Sequence, residues 1–165
     1  MTRVYIALGS NIEPRARLSQ AARLLQARFP GIRFSDCYQN VSIGFDGADF
    51  INAAAGFDAD LTLPQLVDVL HAMEEQCGRK RDDAKWAPRA MDLDVLLYGN
   101  LVSDTPAAPV PRADLLRRAF MLGPMADIAP GLLHPEARRT LAELWAELAP
   151  RTPPLSRVAL DLNTT

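Results

Sequence analysis

The sequence predicts an α+β domain: an antiparallel sheet with two helices on one face, in the ferredoxin-like βαββαβ order, followed by helical C-terminal additions. Three observations predict it. Short apolar runs end at glycine- or proline-containing turns, as strands do. Two longer segments carry apolar residues at helical spacing. The two kinds of segment alternate as strand, helix, strand, strand, helix, strand. With 165 residues, 48% apolar and 23% charged, the chain suits one globular domain, with a core over about residues 3–148 and a tail over 149–165.

The elements follow in order. Val4–Leu8 is a strand-like run stopped by Gly9-Ser10-Asn11. After Pro14, residues Leu18, Ala21, Ala22, Leu25 and Phe29 form one helical stripe, ended by Pro30-Gly31. Ile32–Tyr38 reads as a second strand with Ile32, Phe34, Asp36 and Tyr38 on one side, and Phe50–Phe57 as a third beyond a loop. Thr62 and Gln65 have capping-box spacing for a helix with the stripe Leu63, Leu66, Val67, Leu70, Met73 and Cys77, and Gly78 suits its C-terminal side. A polar loop, Arg79–Ala90, leads to the strand Met91–Tyr98 and the turn Gly99-Asn100. Pro106, Pro109 and Pro111 exclude a regular element over Thr105–Pro111. Short helices are expected within Asp114–Met125, and Thr140 with Glu143 caps a last one over Leu141–Leu148. From Pro150 the chain is polar and Pro-rich.

Composition excludes several functions. A net charge of −2 argues against a general nucleic-acid or membrane-surface binder. Cys37 and Cys77 are the only cysteines and His71 and His134 the only histidines, too few for a Cys/His zinc site or a disulfide framework. Both cysteines are expected as small core residues. No apolar run approaches the length of a membrane span, and Met1-Thr2-Arg3 leads straight into a strand, so a cytoplasmic protein is the expectation; a monomer is expected as well.

Chemistry concentrates in Asp92-Leu93-Asp94. Alternation along a strand sends both carboxylates to one face, about 7 Å apart at Cα, with Met91, Leu93, Val95 and Leu97 on the buried face. Two such carboxylates are suited to Mg²⁺, which is commonly held by one or two acids plus substrate phosphates. Eight of the 18 cations lie between residues 79 and 118: Arg79, Lys80, Arg81, Lys85, Arg89, Arg112, Arg117 and Arg118. Cations flanking an acidic pair suit a polyphosphate, although no GxxxxGK[ST] or GxGxxG loop is present. Trp86 within the basic loop and Phe120 after Arg118 could stack on a flat heterocycle or serve the core.

The stretch Lys85-Trp86-Ala87-Pro88-Arg89-Ala90-Met91-Asp92-Leu93-Asp94-Val95-Leu96 resembles the signature of the 6-hydroxymethyl-7,8-dihydropterin pyrophosphokinase family. Tyr5–Asn11, Phe50-Ile51-Asn52-Ala53-Ala54 and Arg118–Leu122 with Pro124 resemble other segments of it, so that the likeness spans about residues 3–135. The resemblance implies a ferredoxin-like fold and transfer of the terminal diphosphate of ATP to the pterin hydroxymethyl oxygen, releasing AMP. By position it implies that Asp92 and Asp94 hold two Mg²⁺ ions and that Arg79, Arg81 and Arg89 serve the phosphates. ATP would also meet Glu74, Trp86, Val95, Arg112 and Arg118. The pterin would meet Asn40, Ile43, Phe50, Asn52, Trp86, Asp92 and Phe120. The chain departs from the family pattern at Asn40-Val41-Ser42-Ile43-Gly44, where Thr-x-Pro-x-Gly is usual, and at Arg112, where His is usual. Two alternatives therefore stand beside this activity: a divergent paralogue that diphosphorylates another pterin, and a non-catalytic nucleotide- or pterin-binding module.

Overall fold

A computed structural model describes residues 1–40, 49–78 and 90–164. The elements are β1 (Thr2–Ser10), α1 (Pro14–Arg28), β2 (Arg33–Phe34), β3 (Cys37–Asn40), β4 (Phe50–Ala59), α2 (Leu63–Gln76), β5 (Asp92–Tyr98), α3 (Ala119–Ile128), α4 (Leu141–Leu148) and β6 (Ser156–Val158). Short 3₁₀ turns at Ala113–Leu116 and Ala149–Arg151 precede α3 and follow α4. The strands form one antiparallel sheet in the order β5-β1-β4-β3-β6, with β2 also on β4. Its first four members reproduce the expected ferredoxin-like arrangement.

Strand β1 is apolar on both sides because both faces of the sheet are covered. Beneath one face, Ile6 and Leu8 meet Leu18 and Leu25 of α1 and Leu66 and Leu70 of α2 in a single core cluster. The Phe29 ring stacks on Phe57 there, centroids 4.2 Å apart. On the other face Ala7 and Ala54 share a second cluster with Leu115, Leu122, Met125 and Leu141. The C-terminal helices thus form a third layer. The capping box of α2 is complete, Thr62 Oγ1 accepting from Gln65 N and Gln65 Oε1 from Thr62 N. Thr140 Oγ1 likewise accepts from Glu143 N at the start of α4. Cys37 and Cys77 are both buried.

Two predicted strands differ in detail. Ile32–Tyr38 is broken into β2 and β3, because Ser35 bonds across to Ala54 through its own amide and its hydroxyl, both at 2.8 Å. The break changes the alternation. Phe34 and Cys37 both enter the core beneath α1, so Tyr38 lies not with Phe34 but on the opposite face, where its hydroxyl donates to Asp127 of α3. In β5, Tyr5 pairs with Leu97 but Ile6 with Val95, leaving Leu96 as an extra residue. This bulge turns Leu96 and Leu97 together into the second cluster, whereas Met91, Leu93 and Val95 stay in the first. Leu97 is therefore not on the face predicted for it.

The polar, Pro-rich end of the chain builds an edge. Strand β6 pairs with β3, and Val158 and Leu162 are buried. Beyond it the Asn163 carboxamide accepts from Phe34 N and donates to Phe34 O, standing in for a neighbouring strand beside β2.

Candidate active site

The site is organised by the register of three strands. Asp92 on β5 lies opposite Gly9 on β1, and Gly9 lies opposite Asn52 on β4. The next row is Asp94, Ala7 and Ala54. Directly opposed residues share a face, so Asn52, Asp92 and Asp94 all project on the side of α3. Both aspartates are half-buried, as alternation from Leu93 and Val95 requires.

Strand β5 is held in place from two directions. The buried Glu74 of α2 accepts a 2.7 Å hydrogen bond from Leu93 N, the amide between the two aspartates. Ser10 Oγ donates to Ala90 O at 2.6 Å, tying the end of β1 to the segment that enters β5. Alongside, Arg112 N donates to Leu96 O, which brings the Arg112 guanidinium to Asp94 with Nη2 and Oδ1 3.0 Å apart. The Nε of Arg112 is buried and has no hydrogen-bond partner among the described residues. Asp94 and Arg112 stand at a cleft whose walls are Val67, Leu70, His71, Leu93 and Val95 on one side and Ala107, Ala108 and Pro109 on the other.

At the far end of the Asp92 row, Asn52 is buried and its Nδ2 donates to Asn40 Oδ1. Phe50 pairs with Asn40 across β3 and β4. Tyr38 closes the row opposite Asn52. Burial, helped by the bond to Asp127, pushes its phenol well above the ordinary value, so it remains a donor.

The structure brings together Asp92, Asp94, Arg112 and Val95 at one end and Asn40, Phe50 and Asn52 at the other. Arg118 is exposed at the N-cap of α3 and Phe120 is half-buried in its first turn, on the helix that packs against β4. Glu74 is not among the residues lining the cleft, and its carboxylate accepts from the backbone of β5. Ile43, Arg79, Arg81, Trp86 and Arg89 lie outside the described residues. Sequence reading missed His71 and Ser10. His71 is one helical turn beyond Val67 on the cleft side of α2, and that spacing could have shown it.

The donor set suits a hard cation. Two carboxylates supply only oxygen, and among the described residues no group of three His, Cys, Asp or Glu could hold a metal alone. Magnesium sites of this kind are completed by substrate phosphates and water.

The fold is thus a ferredoxin-like α+β domain whose edge strand carries an acidic pair beside an arginine and a cleft. The family model for 7,8-dihydro-6-hydroxymethylpterin-pyrophosphokinase (HPPK) matches residues 5–130, and the chain belongs to that family. It is 43% identical to the 2-amino-4-hydroxy-6-hydroxymethyldihydropteridine pyrophosphokinase of Pseudomonas aeruginosa over 149 residues, 87% of this chain and 90% of that one. The enzyme of the same name from Methylorubrum extorquens is 39% identical over 155 residues, 91% and 96% of the two chains. The Plasmodium falciparum HPPK-DHPS with pteroate superposes with a TM-score of 0.69 at 12% identity, a likeness of fold that covers 91% of this chain. This chain spans 45% of that longer one. Among the described residues no helix is long and apolar enough to cross a membrane.

Proposed function

We propose that this chain transfers the terminal diphosphate of ATP to the hydroxymethyl group of 6-hydroxymethyl-7,8-dihydropterin, giving AMP and the pterin diphosphate for folate biosynthesis. The observation that carries the reading is the single row linking Asn52 to Asp92, with Asp94 and the cleft beside it. Family membership supports it, since the relatives bear the name of this reaction.

In this reading Asn52, with Asn40 and Phe50, orients the pterin, and the cleft between α2 and residues 107–109 takes the adenine. Asp92 and Asp94 would hold Mg²⁺, as two ions. The metal, when bound, neutralises phosphate charge and so makes the β-phosphorus open to attack. Arg112 turns from Asp94 to the phosphates, its Nε supplying a donor to an incoming oxygen. The hydroxymethyl oxygen attacks the β-phosphorus and gives up its proton to solvent, the bond from that phosphorus to the bridging oxygen of the α-phosphate breaks, and AMP leaves with that oxygen. No enzyme nucleophile is needed, because alignment and charge neutralisation carry most of the acceleration. Arg79, Arg81, Arg89 and Arg118 complete the phosphate contacts, Trp86 and Phe120 stack on the pterin, and Ile43 borders it. The protein acts as a cytoplasmic monomer on small molecules.

The test is product identity. With ATP, Mg²⁺ and the hydroxymethyldihydropterin, the purified protein should release AMP, and Asp94→Ala should abolish release while keeping the fold, its melting temperature falling only by the about 2–4 °C that loss of the ion pair with Arg112 costs. Formation of ADP, or undiminished AMP release by the variant, overturns the reading.

A further inference from the structure

We infer that Gly9 is a positioning residue for the acceptor: its missing side chain lets the Asn52 carboxamide lie over β1 with its oxygen turned toward the strand that bears the aspartates. The inference rests on the reading of Asn52 as a pterin-binding residue.

Gly9 has Asn52 opposite it on one side and Asp92 on the other, so it forms the floor between them. A Cβ at this position would stand 2.8 Å from Asn52 Oδ1 and 3.8 Å from Phe50 Cδ1. The first distance is shorter than carbon and oxygen tolerate without a bond, so the carboxamide would have to move. The backbone is not the reason for glycine here, because Gly9 is not among the residues with positive φ. The need is for empty space.

That space fixes an orientation. Asn52 is buried, and its Nδ2 is directed to Asn40 Oδ1 on β3, so its oxygen faces the opposite way, toward Gly9. An acceptor oxygen in that place suits the ring N–H and amino donors of a reduced pterin. Adjacent strands are about 4.8 Å apart, which puts Asn52 and Asp92 about 10 Å from one another across β1. A two-ring heterocycle with a one-carbon arm bridges such a gap. A methyl group on the floor would twist the carboxamide out of that orientation.

A double-mutant cycle tests this, read by calorimetric affinity for the hydroxymethyldihydropterin in the presence of Mg²⁺ and a non-hydrolysable ATP analogue. Gly9→Ala should weaken pterin binding by about tenfold or more, the effect of one well-placed hydrogen bond, and leave the affinity for the analogue unchanged. Asn52→Ala should weaken it similarly. In the Asn52→Ala background, Gly9→Ala should add little, because the group it displaces is gone. Normal pterin affinity in Gly9→Ala with a loss in Asn52→Ala overturns the inference alone. Normal affinity in Asn52→Ala overturns the acceptor reading and the inference with it. Additive losses also overturn the inference. Should Gly9→Ala fold poorly, recovery of its melting temperature in the double variant supports the collision with Asn52, and failure of both variants to fold refutes it.

Discussion

Replacing Arg112 by alanine separates two roles of one side chain. In the free protein the guanidinium stands 3.0 Å from Asp94 Oδ1, with the two side chains 30% and 23% exposed. At that separation the gross attraction is about 5.5 kcal/mol for an effective dielectric of 20, most of it offset by desolvation and by ordering two side chains. The net loss of stability is therefore about 1 kcal/mol, which lowers the melting temperature by about 2–4 °C in a chain of this size. A charge-assisted bond to phosphate contributes about 1.5–3 kcal/mol, so affinity for the Mg²⁺ complex of a non-hydrolysable ATP analogue should fall by about 10- to 150-fold. Asp94 also loses a competing cation, so binding of Mn²⁺ alone should tighten. Thermal denaturation and two calorimetric titrations measure all three. If the melting temperature falls while nucleotide affinity is unchanged, Arg112 serves the fold only and its assignment to the phosphates is refuted.

Two further outcomes follow from buried polar groups. Glu74→Ala leaves the Leu93 amide without its 2.7 Å acceptor at a cost of about 1–3 kcal/mol, while Glu74→Gln keeps an acceptor and should recover most of that stability in denaturant titrations. His134 is buried, and its Nδ1 accepts from Glu136 N and Ala137 N, so burial lowers its pKa from 6.5. The unfolded chain therefore takes up the proton first. Stability is full above pH 6.5 and falls as pH drops through the lowered value, with a slope of up to about 1.4 kcal/mol per pH unit. His134→Asn should flatten that slope in melts between pH 7.5 and 5, and an unchanged slope would show that another group is responsible.

Much of this molecule is legible in its sequence, for reasons that differ by element. Helices α1, α2 and α4 declare themselves because the stripe and the caps are local, as with Thr62 and Gln65. The pairing of Asp92 with Asp94 is legible because strand alternation is local too. What sequence periodicity misses is set by partners far along the chain. Ser35 breaks a strand through Ala54, and a bulge against Tyr5 and Ile6 sends Leu97 to the other face. Asn163 serves as a surrogate strand only because Phe34 is there to receive it. Likewise, Glu74 can be read on its helix face, but its attachment to Leu93 needs β5 already in place. The row from Asn52 through Gly9 to Asp92 is a property of register, which no single segment contains.

Strand β6 gives the C-terminal segment a bearing on the Asn40–Asn52 pair. It borders β3, whose final residue is Asn40, the group that receives the Asn52 amide. Shortening the protein ahead of Ser156 would bare a row of backbone donors and acceptors on β3, an invitation to neighbouring molecules to zip on and clump. A purification handle belongs beyond Thr165, on a spacer, where it cannot pry that seam open.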